Sequence, residues 1–393
     1  MNLKITQLFK DFTSSEKNAG IILVMCTLIS LGISNSSLGE SYTHFWHMVT
    51  GFSLGKFDLH LSITHWINDG LMTIFFLLVG LEIERELYAG ELHPVKNALL
   101  PIAGALGGML VPALIFITIN LNANTINGFG IPMGTDIAFA IGILALAGNR
   151  VPFAIKILLT AIAIIDDLGS IIIIALFYGS NLQTGYLLAA LAVFGVLLIL
   201  NRLKIHFMFL YLILGVVMWF FMMQSGIHPT ISGVLLAFAI PFGDGSETSV
   251  SIKLQRILHL PVAFIILPLF TLANTAILIK PEFVTGLTHP HAIGISLGLL
   301  IGKPIGITVA FFIMTKLKIN QLPEGISWYH IIAMGCIAGI GFTMSIFITQ
   351  LAFTDEIYIQ SSKLMILITS TLAGLIGLSL FLFQKNKLPL IKK

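Results

Sequence analysis

Ala163-Ile164-Ile165-Asp166-Asp167-Leu168-Gly169 decides how this chain is read. Its two adjacent carboxylates stand at the middle of an apolar run, Phe153 to Tyr178, that is long enough to cross a bilayer. At the centre of a transmembrane helix one Asp costs roughly 2.5–3.5 kcal/mol on insertion scales. Packing returns nothing for that cost, so a pair of carboxylates there marks an ion or proton site.

The rest of the composition agrees with a membrane setting. The chain has 393 residues, 56% hydrophobic and only 10% charged, with a mean hydropathy of +0.98. Soluble domains carry about 25% charged residues, so this is an all-α integral membrane protein whose length is spent on spans. The net charge of +3 is unevenly placed, which bears on topology and not on nucleic acid. Cys26 and Cys336 lie far apart, with no Cys-x-x-Cys or Cys/His ligand spacing, which argues against structural disulfides and zinc. The first apolar run, Ala19 to Ser34, follows Lys-bearing residues as a signal peptide would. With so many runs after it, it reads as the first transmembrane helix.

Eleven further apolar runs follow, near 65–84, 97–120, 126–147, 153–178, 184–201, 206–223, 227–241, 257–279, 291–315, 328–351 and 362–384. Ahead of them, residues 1–18 read as an amphipathic surface segment, with Ile5, Leu8, Phe9 and Phe12 on one face. In the polar stretch after the first span, Phe57, Leu59 and Leu61 alternate with Lys56, Asp58 and His60. Gly51 and Gly55 offer turns, so a small external β-hairpin and an irregular loop both fit. Residues 19–384 form one transmembrane domain, and 385–393 a basic cytoplasmic tail.

Lys and Arg set the orientation. With both termini cytoplasmic, 17 of the 21 fall in inner segments and three (Lys56, Lys280, Lys363) outside, Lys303 being left inside the membrane. That bias requires an even number of spans, and twelve is the expectation.

Four ionisable residues then remain well inside spans: Asp136, Asp166, Asp167 and Lys303. Lys303, in Gly302-Lys303-Pro304 at the midpoint of the tenth span, matches the Asp pair in depth, and a buried ammonium needs a partner. Adjacent helical residues point about 100° apart, so one carboxylate can pair with Lys303 while the other faces a cavity. Read blandly, Lys303 and its partner only hold two helices together. Desolvation and a like-charged neighbour disfavour an ionised carboxylate, and a nearby Lys favours it. Carboxylates so balanced accept either a proton or a small hard cation through their oxygens. Competition for those oxygens is enough for exchange.

Two runs are interrupted. The fourth contains Gly130-Ile131-Pro132-Met133-Gly134-Thr135-Asp136, and the eleventh contains Gly335, Gly339 and Gly341. Such breaks are tolerated in a membrane only where protein or a wet cavity satisfies the freed backbone groups. A helix broken at mid-membrane exposes N–H groups at one new end and carbonyls at the other. Asp136 would neutralise the positive ends and Lys303 the negative ends. For either span alone, a kink made for packing explains as much.

Ala163–Gly169, Thr135-Asp136-Ile137-Ala138-Phe139-Ala140, Gly302-Lys303-Pro304 and Gly339-Ile340-Gly341-Phe342-Thr343-Met344-Ser345 together resemble the bacterial NhaA sodium–proton antiporter family. So do Phe75-Phe76-Leu77-Leu78-Val79-Gly80-Leu81-Glu82 and Leu322-Pro323-Glu324-Gly325. The resemblance covers nearly the whole chain, with its motifs in order. It implies twelve helices, with spans 3–5 (about 97–178) and 10–12 (about 291–384) as inverted repeats and helices 4 and 11 broken. It implies cation or proton binding at Asp166 and Asp167, with Asp167 the more essential, and Thr135 beside them. Asp136 would compensate helix ends and Lys303 would pair with Asp166. Pro132, Gly134, Gly339 and Gly341 would shape the breaks. Further implications are a homodimer through a hairpin around residues 44–62 and residence in the bacterial inner membrane. The activity implied is extrusion of Na+ or Li+ against external H+, electrogenic, activated at alkaline pH, with no chemical cofactor.

Nearer the cytoplasmic face the signals are weaker. Glu82, Arg85 and Glu86 fall at i, i+3 and i+4, and the resemblance gives them and His259 a part in the pH response. A solvated salt bridge at a helix end accounts for the first three equally well. In Gln255-Arg256-Ile257-Leu258-His259 the chain departs from the better-known members of the family it resembles, which have an acid where Gln255 stands and a His where Arg256 stands. Gln255 cannot titrate. His228 and His259 are kept, and a lone His at a helix end is ordinarily structural.

Other classes fit less well. A channel needs a continuous polar path or rings of charge, whereas these ionisable residues gather at one depth. An intramembrane aspartyl protease needs carboxylates facing each other from different helices, and Asp166 and Asp167 share one. A cation-coupled symporter of another small solute is the alternative that the carboxylates alone leave open.

Overall fold

The computed structural model describes residues 2–51, 53–54, 57–90, 95–179, 182–243, 245 and 249–383, and the side chains of all of these but 2–17, 53–54, 57–58, 95–97 and 149. Long apolar segments have no water to satisfy their backbone, so each N–H and C=O must bond within its own segment, and helix is the result. In chain order the helices are α1 (Asn2–Ser34), α2 (Gly39–His47), α3 (Ile63–Tyr88), α4 (Val95–Asn120), α5 (Ile137–Leu146), α6 (Phe153–Phe177), α7 (Thr184–Arg202), α8 (Met208–Gln224), α9 (Ile231–Ala239), α10 (Val250–Asn274), α11 (Pro290–Lys316), α12 (Trp328–Ala338), α13 (Phe342–Ala352) and α14 (Glu356–Phe383).

Among the described residues seven helices are long and apolar enough to cross a membrane, or ten when each bent pair of helices counts as one span. The apolar runs at 206–223 and 227–241 hold α8 and α9, of 17 and nine residues. At 1.5 Å per residue these reach only about 26 and 14 Å, short of a hydrocarbon core of about 30 Å. The surface segment and first span expected at the N-terminus share the single helix α1. The apolar face expected at 1–18 and the tail at 385–393 lie outside the described residues, save the side chain of Asn18.

Between α2 and α3 the chain doubles back in two short antiparallel pairs. β1 (Val49–Thr50) pairs with β4 (Leu61–Ser62), and β2 (Ser53–Leu54) with β3 (Phe57–Asp58).

Small residues set the helix crossings that matter for the site. α4 packs along the second half of α11, and Gly107 meets Gly306 there. A methyl at either position would run into the carbonyl oxygen of the other, so the backbones touch directly. Pro112 of α4 lies against Gly302 in the same seam. These contacts hold the turn that carries Lys303 against α4, its methylene stem beside Gly108. A π-helical turn, Gly298–Gly302, precedes Lys303, and Pro304 follows with no N–H to give.

Both interrupted runs are broken inside the stretches that their Gly and Pro residues mark. A 3₁₀ helix, Ile126–Met133, takes in Gly130 and Pro132, and extended backbone begins only at Gly134 before α5 starts at Ile137. The two halves meet at 41°, and α12 and α13 meet at 47° across Ile340 and Gly341. Packing makes the glycines obligatory. A Cβ on Gly134 would stand 2.9 Å from Met344 Cβ, and one on Gly339 would strike the carbonyl of Leu299.

Lys363, counted among the outer lysines, is buried on α14 two turns in from Glu356. The helix begins with the polar residues Glu356, Gln360 and Ser361, which hid its start from a hydropathy reading.

Candidate cation site

The two breaks cross, and their backbones bond to each other. Asp136 N–H donates to the carbonyl of Ile340 at 2.7 Å, joining one gap to the other. The Thr135 hydroxyl lies 3.0 Å from the carbonyl of Ala338, the end of α12. Breaking a helix frees such groups, and here each break supplies partners for the other.

Asp136 stands at the N-cap of α5, where Oδ1 accepts the Phe139 N–H at 3.0 Å. Its Oδ2 accepts the Thr343 N–H at 3.0 Å, from the first turn of α13, and the Thr343 hydroxyl as well. One carboxylate thus meets the positive ends of two half-helices, the position expected for it.

Lys303 takes the opposite role. Its Nζ donates to the carbonyl of Met133, the last residue of the 3₁₀ half-helix, at 2.5 Å, and to Thr135 Oγ1 at 2.6 Å. It also pairs with Asp166 Oδ2 at 2.9 Å, both side chains wholly buried. Thr135 Oγ1 lies 2.8 Å from the same carboxylate oxygen. Thr135, Asp166 and Lys303 are therefore one cluster, drawn from three separate runs. A lone buried charge would be far costlier than this arrangement, in which every donor of the ammonium has an oxygen.

Asp167 is treated differently. It is almost completely buried, yet among the described residues its Oδ1 has no hydrogen-bond partner. Asp166 Oδ1 and Ser170 Oγ, on the same helix α6, have none either. The result is an all-oxygen group with spare lone pairs beside a neutralised ion pair, a donor set suited to a small hard cation or a proton. Among the described residues no group of three or more His, Cys, Asp or Glu forms a cluster able to hold a metal.

The residues to which the resemblance gives a part in the pH response lie elsewhere, on α3 and α10. Arg85 pairs with its neighbour Glu86 at 2.9 Å, partly exposed. Glu82 and His259 are half-buried, and Gln255 is buried on α10.

Three buried polar features escaped the sequence reading. Glu84, 6% exposed on α3, accepts the Ser251 hydroxyl at 3.1 Å at the start of α10. Glu84 sits among charged neighbours at a helix end, which made it look solvated. A second polar cluster joins Asn68, Asn274, Gln350 and Lys363: Asn274 donates to Asn68 at 2.9 Å, Asn68 donates to Gln350, and Gln350 and Lys363 donate to Asn274. Amides carry no charge, so a search for ionisable residues inside spans passes over them. The third is Ser170, whose spacing after the Asp pair was the available signal.

Comparison with known proteins supplies the family. A family model described as Na+/H+ antiporter 1 matches residues 10–381. The chain is 56% identical to a Na(+)/H(+) antiporter NhaA of Flavobacterium psychrophilum, over 95% of this chain and 96% of that one. It is 52% identical to those of Cytophaga hutchinsonii, over 99% and 98%, and Dechloromonas aromatica, over 98% of each. Its fold resembles that of the sodium proton antiporter MjNhaP1 from Methanocaldococcus jannaschii, with a TM-score of 0.53 at 15% identity, covering 97% of this chain and all of that one.

Proposed function

The chain belongs to the Na+/H+ antiporter 1 family, and on that premise we propose that it extrudes Na+ or Li+ in exchange for external H+ by alternating access. The observation that carries this reading is the pairing of unlike carboxylates on α6. Asp166 is neutralised by Lys303, and Asp167 has an oxygen without hydrogen bonds among the described residues. Asp167 is then the carrier, taking either a proton or the cation, while Asp166 and Thr135 complete the site. Asp136 and Lys303 hold the ends of the broken helices, so that the site sits at mid-membrane with its backbone satisfied.

In this reading the exchange is electrogenic and rises at alkaline pH. The two interlocking breaks support inverted repeats over about 97–178 and 291–384. The transport domain spans 19–384 with twelve membrane passes, α8 and α9 serving as short ones. Both termini lie on the cytoplasmic side of a bacterial inner membrane, 1–18 on its surface and 385–393 as a tail. The paired strands within 44–62 offer an edge for a homodimer. Neither the comparisons nor the geometry favours the symport alternative.

The test is dissipation of a pH gradient in proteoliposomes on addition of Na+, Li+ or K+. The expected outcome is a response to Na+ and Li+, little to K+, and none from Asp167→Asn. A full response in Asp167→Asn would remove Asp167 from the carrier role.

A further inference from the structure

Ser170 lies one helical turn beyond the Asp pair, at i+4 from Asp166 and i+3 from Asp167. At 100° per residue that sets it 40° from the first and 60° from the second, on the stripe between them. It is 1% exposed, and its hydroxyl has no hydrogen-bond partner among the described residues. A Ser on an apolar helix ordinarily returns its hydroxyl to the carbonyl four residues back. Thr160, Thr315, Thr349 and Ser361 in this chain do so, with distances of 2.5–3.0 Å. Ser170 does not. Its Oγ instead lies against Gly134 at the break of the fourth run, 3.8 Å from where a Cβ would stand there and next in sequence to Thr135.

Other buried hydroxyls in the chain also have no partner, Ser362 and Thr369 among them. Place separates Ser170 from these. It stands within one turn of two carboxylate oxygens that are equally without hydrogen bonds among the described residues, Asp166 Oδ1 and Asp167 Oδ1. Three buried oxygens within little more than one helical turn, with no hydrogen bonds among the described residues, are costly unless something binds them.

Resting on the reading of the Asp pair as the cation site, we propose that the Ser170 hydroxyl is a further ligand of the transported cation and sets its selectivity. A hydroxyl offers a neutral oxygen to a hard cation and does not take up a proton at the pH of exchange. It therefore favours the cation over the proton in their competition for the site. Na+ is larger than Li+ and needs more oxygens to complete its shell, so the hydroxyl matters more for Na+.

The experiment compares the parent chain with Ser170→Ala and Ser170→Thr in proteoliposomes, reading apparent KM for Na+ and for Li+ and the pH profile at saturating cation. Ser170→Ala is expected to raise the Na+ KM about tenfold and the Li+ KM about threefold or less. The pH profile at saturation stays in place, and Ser170→Thr returns the Na+ KM toward the parent value. Unchanged KM values in Ser170→Ala overturn the proposal, as do equal rises for both ions or a loss that Ser170→Thr fails to rescue. Thermal unfolding of the purified chains with NaCl, LiCl or choline chloride reads the same ligand without turnover. Na+ should raise the melting temperature of the parent more than that of Ser170→Ala, and identical Na+ shifts overturn the ligand. A parent that is stabilised by Na+ but exchanges none would instead overturn antiport and leave the ligand standing.

Discussion

The carboxylate of Asp136 accepts both the backbone N–H and the hydroxyl of Thr343, a residue 207 positions away on the other broken span. The same carboxylate caps α5 through Phe139. It therefore ties both half-helix N-termini together, and its loss should be felt twice. A lost N-cap costs about 1 kcal/mol, so Asp136→Ala should destabilise the protein by roughly 2 kcal/mol or more. Thr343→Val, which removes only the hydroxyl, should cost about 1 kcal/mol. Unfolding in detergent followed by circular dichroism measures both, and equal losses would show that the α5 cap contributes nothing.

How much of this was legible depended on charge. Asp136, Asp166, Asp167 and Lys303 announce themselves because an ionisable residue in an apolar run has no bland explanation at that depth. Depth gave Lys303 one of the two carboxylates as a partner and the resemblance named Asp166, which Lys303 does meet. The breaks were visible as Gly and Pro; within the marked stretch Pro132 sits inside a 3₁₀ helix and extended backbone opens at Gly134. The burial of Lys363 was not legible, because polar residues open α14 and blur its start. The contacts of Asn68, Asn274 and Gln350 join residues far apart in the chain, and an uncharged amide gives no sign of burial in sequence.

Asp166 and Lys303 form a buried pair, and such pairs are more costly to split than to remove. Lys303→Met should cost about 3–5 kcal/mol by stranding the carboxylate, and Asp166→Asn a similar amount by stranding the ammonium. The double variant Asp166→Asn/Lys303→Met should recover much of that loss. A double-mutant cycle on thermal or denaturant unfolding gives the coupling directly. Strictly additive losses would mean that the carbonyl of Met133, and not Asp166, is the effective partner of Lys303.

Gly107 and Gly306 touch backbone to backbone where α4 crosses α11. Neither helix can yield without moving the turn that carries Lys303. Gly107→Ala and Gly306→Ala should each cost about 1–3 kcal/mol as overpacked positions and reduce exchange as well. Gly185 and Gly195 on α7 have open space where a Cβ would stand. Alanine at either should be neutral, or stabilising by up to about 1 kcal/mol. Melting temperatures of the four variants check the contrast, and a harmless Gly107→Ala would show the seam to be looser than drawn.

Glu84 is a carboxylate buried between α3 and α10 with, among the described residues, one neutral hydrogen bond, from Ser251. An ionised acid held that way is expensive, because a hydroxyl replaces little of the hydration that burial removes. Glu84→Gln keeps an acceptor for Ser251 and removes the charge. It should stabilise the protein by about 1–3 kcal/mol at pH values where carboxylates are ionised, and change little near pH 4, where both side chains are neutral. Gln255, buried one turn beyond Ser251 on the same helix, gives the converse test. Gln255→Glu adds a second acid to that interface, so its destabilisation should grow with rising pH and shrink in the double variant Glu84→Gln/Gln255→Glu. Unfolding and exchange measured across the same pH range separate the outcomes. If Gln255→Glu shifts the pH profile of exchange and Glu84→Gln shifts it the opposite way, the two positions share one electrostatic interface. If Gln255→Glu leaves stability and profile unchanged at every pH, the side chain at 255 is screened from Glu84 and takes no part in the response.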